Sequence, residues 1–200
     1  MKLTSEVLKK LIRETIRENS MILSEGLGRE YDSLMESMDF VAGDTQTFGI
    51  MSAQNPMAQD SLSPEENARR NSELLEDLSS EGKDFVPIDG KYGVDEKSVV
   101  INNPSHEDMW KYCGKYQQQS YVWGSDSDSP RYRLMEVVYD QNGESVGSRL
   151  YTNFGCKPVD VIVKDDNPGL KSASDNYSEL GGRKFVFPFF GMPESSDEEE

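Results

Sequence analysis

The first regular pattern along the chain lies at its start. Leu3, Val7, Leu8, Leu11, Ile12 and Ile16 recur at three- and four-residue spacing and form a single apolar stripe, the mark of an amphipathic helix over residues 3–18. Thr4 suits its N-cap, with Leu3 packing on Leu8 as a hydrophobic staple. Asn19, Ser20 and the stretch Gly26-Leu27-Gly28 end the pattern. A lone helix of about four turns is marginal in water, so the stripe needs a surface: the chain's own domain, a second copy, or a partner. Residues 26–46 read as a connecting segment with one short helix around Tyr31–Met38.

Shorter periods follow. Thr47–Ala53 predicts a strand that Asn55-Pro56 breaks. Ser63-Pro64-Glu65-Glu66 predicts a helix start, with Ser63 as cap, Pro64 in the first turn and Glu66 closing a capping box; the helix runs to about Ser80 and stops at Gly82. Phe85–Asp89 and Lys97–Ile101 are strands separated by Gly90 and Gly93, Ser105 caps a helix across Glu107–Tyr116, and Tyr121–Gly124 is a further strand. This order of strand, helix, strand, strand, helix, strand is that of a ferredoxin-like split βαβ core. A hairpin extends it, with Tyr132–Tyr139 and Ser145–Tyr151 flanking an Asn-Gly turn. Val159–Val163 and Lys184–Phe187 are the last strands, with a polar loop between them. The expected class is α+β: this core, its C-terminal hairpin and strands, and the N-terminal helix. The expected organisation is a leader helix at 1–25, the connecting segment at 26–46, one domain at 47–192 and an acidic, disordered tail at 193–200.

Charge separates the leader from the body. The chain has a formal net charge of -16, yet residues 1–25 hold five basic and four acidic groups, so the rest carries -17. An acidic surface repels phosphates, which argues against direct nucleic-acid binding and suits a basic host protein as partner, or mimicry of nucleic-acid charge. Lys9, Lys10, Arg13 and Arg17 interrupt every apolar run near the start, and no run reaches the roughly 18 residues of a membrane span. Cys113 and Cys156 are the only cysteines and His106 the only histidine, so neither a zinc site nor a cofactor is expected.

The leader MKLTSEVLKKLIRETIRE resembles the short leaders on proteins of T-even-type and marine tailed phages. Such leaders act as capsid-targeting sequences and are removed after Leu/Ile-x-Glu, before a small residue. Leu23-Ser24-Glu25 followed by Gly26 fits that pattern directly after the helix; the same triplet ends at Glu14, Glu18, Glu36, Glu76 and Glu136, of which only Glu36 also precedes a small residue. The resemblance implies phage head or scaffold proteins as partners of Leu3, Val7, Leu8, Leu11, Ile12 and Ile16, and a location in the virion interior, the bacterial host cytoplasm, or both. A second resemblance covers residues 47–124. SAQNPMAQDSLSPEENARRNSELLEDL, then VPIDGKYG, then SYVWG, resemble the domain of unknown function 3293, with Ser52 where that pattern has threonine. It implies no established activity.

Asn67, Arg70, Asn71 and Leu74 share one face of the predicted helix. Asparagine inside a helix costs on the order of 0.5 kcal/mol against alanine, so two beside an arginine need a reason. One is a polar ligand pocket completed by Gln54, Asn55 and Tyr92, with Arg70 as a fixed charge for an anionic or nucleotide-like ligand. The other is local: Asn55 shapes the turn before Pro56, and Asn67 and Arg70 tie that loop to the helix. His106 and Cys113 stand two turns apart on one helix, too far for direct activation of the thiol. Asp126-Ser127-Asp128 lacks EF-hand spacing. The leading expectation is therefore a non-enzymatic phage accessory protein, head-targeted or virion-packaged, acting by protein interaction on a capsid or host component. The alternatives are a small-ligand or nucleotide-handling domain, with or without enzymatic activity, and an acidic inhibitor of a host protein that presents DNA-like charge.

Overall fold

The computed structural model describes residues 34, 35, 38, 46–58, 62–92, 94–152, 155–164 and 176–189. The expected leader helix, the expected processing motif at Leu23, Glu25 and Gly26, and the acidic tail lie outside the described residues. Strands and helices alternate as β1 (Thr47–Ser52), α1 (Pro64–Ser80), β2 (Phe85–Tyr92), β3 (Val94–Asn102), α2 (His106–Lys115) and β4 (Ser120–Ser125). Then come β5 (Tyr132–Tyr139), β6 (Ser145–Leu150), β7 (Val163–Lys164), β8 (Asn176–Leu180) and β9 (Arg183–Val186). Among the described residues these nine strands form one sheet in the order β6-β5-β4-β1-β3-β2-β8-β9-β7, with antiparallel neighbours throughout. The class is α+β.

Local chemistry sets the helix ends. Ser63 Oγ accepts the Glu66 N–H at 3.2 Å, with Pro64 in the first turn. The expected capping box is not completed there, because the Glu66 carboxylate pairs with Arg69 one turn on. Gly82 takes φ +67, and the Lys83 N–H reaches back to the Leu78 carbonyl at 2.9 Å, closing the helix. Helix α2 has the full box, Ser105 and Asp108 each bonding the other's backbone N–H.

Strand alternation divides the core between the two faces of the sheet. Met51, Val99, Ile101, Tyr121 and Trp123 point toward the helices and meet Leu74, Leu78, Met109, Tyr112 and Cys113. Phe48, Ile50, Val100 and Val122 point the other way, where Leu34, Met35, Met38, Phe185, Phe187 and Phe189 cover them. The segment read from sequence as connecting thus contributes three side chains to the core. The sheet curls around this second cluster: Val159 pairs with Tyr132 of β5, and β7 a few residues later pairs with β9. The Phe187 ring accordingly lies 6.3 Å from Phe48 and 5.5 Å from Tyr132.

Three expectations differ from this fold. The hairpin β2–β3 continues through Gly90, which is paired on both sides, with Glu96 and with Ser178. Val159–Val163 is not one strand, because its two ends serve different partners. Part of the region read as a polar loop is β8, whose Ser178 and Leu180 are buried between alternate outward residues.

Candidate functional site

At the end of β1 the chain leaves the sheet and is tied down by side chains. Ser52 Oγ donates to the Lys97 carbonyl at 2.7 Å and accepts the Gln54 N–H at 3.0 Å. Gln54 Oε1 accepts the Lys97 N–H at 2.9 Å, and its Nε2 reaches the Asn67 carbonyl at 3.4 Å. Asn67 binds Asn55 twice: its Oδ1 accepts the Asn55 N–H at 3.0 Å and its Nδ2 donates to Asn55 Oδ1 at 2.9 Å. Arg70 Nε donates to the Ala53 carbonyl at 2.7 Å and Nη2 to the Tyr116 carbonyl, with the guanidinium 6.0 Å from the Tyr116 ring centre. Gln118 Nε2 completes the knot by donating to the Gln54 carbonyl at 2.7 Å.

The knot holds backbone that would not otherwise keep its shape. Asn55, Met57 and Gln117 all have φ near +50, and the Met57 N–H donates to the Gln117 carbonyl at 2.8 Å. Each such residue costs roughly 1 kcal/mol or more, which the surrounding hydrogen bonds must offset. Of the six residues expected to share a pocket, the structure brings together Gln54, Asn55, Asn67 and Arg70. Asn71 is half-buried on the same helix and takes no part in this set of bonds. Tyr92 stands outside it, at the end of β2 opposite Val94 and Asn176, beyond the last β1–β3 pair of Ser52 with Ser98.

On the inner face of the sheet beside this knot lies a short polar row. Glu96 shares its side of β3 with buried Ser98 and Val100, opposite Gly90, whose other partner is buried Ser178. Burial pushes the Glu96 carboxyl up to about 7, partly offset by the neighbouring Ser52 hydroxyl, which lowers it.

A third cluster sits at the start of α2. His106 Nδ1 lies 3.0 Å from the Tyr121 hydroxyl, which lies 2.8 Å from Ser148 Oγ. The His106 ring stacks on Trp123 at 3.7 Å and 22°. The buried Trp123 Nε1 has no hydrogen-bond partner. Cys113 is wholly buried, and that burial pushes its thiol well above the ordinary range, so it offers no thiolate. Asp128 is paired with Arg133, and Asp126 stands 3.7 Å from Arg131. Among the described residues no three His, Cys, Asp or Glu side chains are grouped to hold a metal, and no helix is long and apolar enough to cross a membrane.

Residues 51–120 match the family described as Protein of unknown function (DUF3293). The matched segment runs from β1 to the start of β4 and includes the whole knot, from Ser52 to Gln118. It covers about a third of the chain, and Trp123 lies just beyond it. No curated protein matches the chain.

Sequence reasoning passed over Ser52, Glu96, Gln118 and the Tyr121–Ser148 link. For Glu96 the signal was present: it is two and four residues from buried Ser98 and Val100 on one strand, and so shares their face. For Gln118 and Ser148 the partners are 64 and 27 residues away, which no local pattern encodes.

Proposed function

We propose that this chain is a tailed-phage accessory protein, directed to the head or packaged in the virion, that acts by protein interaction on a capsid or host component. The observation that carries the choice of interaction over ligand chemistry is the state of Arg70. Its Nε and Nη2 are bonded to the carbonyls of Ala53 and Tyr116, so the charge nominated for an anionic ligand already serves the chain's own backbone. The amides of Asn67 and Gln54 are bonded in the same way. The body's charge of -17 favours a basic surface as the partner.

The leader carries the phage part of the reading. Among the Leu/Ile-x-Glu triplets, Glu76 lies within α1 and Glu136 within β5, while Leu34 and Met35 before Glu36 are buried in the core. A protease needs extended, accessible chain, so folding protects these three and leaves Glu25-Gly26 as the preferred cut after the leader helix. The location that follows is the virion interior, the host cytoplasm after delivery, or both. We also read the order β4-β1-β3-β2, with α1 and α2 packed on one face, as a ferredoxin-like split βαβ unit extended at both edges.

Deleting residues 1–25 tests the reading. The shortened chain should fold with an unchanged thermal midpoint and disappear from purified particles. Undiminished packaging without the leader would overturn it.

A further inference from the structure

The proposed interaction role leaves the cluster at the start of α2 unused. Its parts come from three elements. His106 is the first residue of α2, Tyr121 and Trp123 lie on β4, and Ser148 lies on β6 at the edge of the sheet. Tyr121 and Trp123 are both buried, whereas His106 is exposed. A solvent-facing imidazole therefore closes a hydrogen-bonded line running from the helix, under its first turn, to the outermost strand.

We propose that His106 is a proton-operated latch: neutral, it holds the first turn of α2 on β4 and, through Tyr121, on β6; protonated, it releases that turn. The geometry gives the reason. A neutral ring can accept the Tyr121 proton at Nδ1 while Tyr121 accepts from Ser148. An imidazolium has no acceptor nitrogen, so the line survives protonation only by reversing at both links, with Nδ1–H donating to Tyr121 and Tyr121 donating to Ser148, around a cation that the site disfavours. The turn is released to the extent that the cation leaves for solvent. Tyr121 cannot take up the change by ionising, since burial pushes its hydroxyl up to about 12.

The charges around the ring do not welcome a cation either. His106 sits at the positive end of the α2 dipole. On its own helix, Asp108 is committed to the Ser105 cap and to Lys83 at 3.2 Å, and Glu107 pairs with Lys111. From the loop before β5, Asp128 favours the charged ring, but it is held by Arg133, which opposes it. The Trp123 face returns part of the loss through a cation–π contact. One face of the otherwise exposed ring is covered by Trp123, and this partial burial is the largest influence, holding the His106 pKa below its ordinary value of 6.5.

The chain suits a direct test, having one histidine and only two tryptophans, Trp110 and Trp123. In the full chain carrying Trp110→Phe, the ring-proton shift of His106 and the emission of Trp123 are followed together from pH 8 to pH 4.5. Both should change at one midpoint below 6.5, and amide protection of Asp108 and Met109, whose N–H groups are bonded to Ser105, should fall with the same midpoint. Tyr121→Phe should move the midpoint upward, because the donor that favours the neutral ring is gone. Ser148→Ala, which keeps the buried tyrosine, should move it upward by less. A His106 midpoint at or above 6.5, a Trp123 signal flat through that midpoint, or a midpoint unmoved by either variant would overturn the latch.

Discussion

Arg70 shows how one side chain can look like a ligand anchor in sequence and prove to be a fastening in three dimensions. Its planar fork presents donors in two directions, and here each finds a backbone carbonyl, one at the end of β1 and one at the end of α2. Removing it leaves two carbonyls short of a charged donor and releases the left-handed turn at Asn55 and Met57. Bonds to charged groups contribute roughly 1.5–3 kcal/mol each, so Arg70→Ala should destabilise the fold by about 3 kcal/mol in urea titration. Arg70→Lys should recover little, because one ammonium cannot span both acceptors. A loss below about 0.5 kcal/mol would mean that the guanidinium is not structural, and would return the pocket reading to favour.

At the level of elements, β3 carries a pH signature. Glu96 holds its proton to about 7 in the fold, against 4.5 as its ordinary value. Between those values the folded chain binds more protons than the unfolded one, so this group's contribution is fully present below about 4.5 and is lost as pH rises toward 7. Glu96→Gln should flatten that part of the stability–pH curve, read as the urea midpoint at pH 4.5 and pH 7.5. An unchanged slope would show that Glu96 is solvated in the fold. The elements themselves were largely legible. Ser63-Pro64 and Ser105 mark both helix starts, and Asp140-Gln141-Asn142-Gly143 marks the β5–β6 hairpin, where Gly143 takes φ +79. The strand β8 was not recognised, because Asn-Tyr-Ser-Glu-Leu is polar in composition although it alternates correctly. Gly181-Gly182 beyond it, with φ of +58 and +79, is a hairpin turn signal of the strongest kind. What no local pattern carries is the joining of distant segments: the pairing of Gln54 with Gln118, or of Tyr132 with Val159.

For the molecule as a whole, the proposed role joins an acidic body, taken to act through its surface, to a leader taken to be its address. The two halves rest on different grounds. The body's polar knot is bonded to itself and lies wholly inside the matched segment 51–120. The proposal of a separate leader rests on the apolar stripe, the near-neutral charge and the position of Glu25-Gly26 in the sequence before the core residues. Mass spectrometry of purified phage particles tests the central claim most directly. If the leader delivers the chain to the head, the protein is present and its first peptide begins at Gly26; particles that lack the protein altogether would contradict that role.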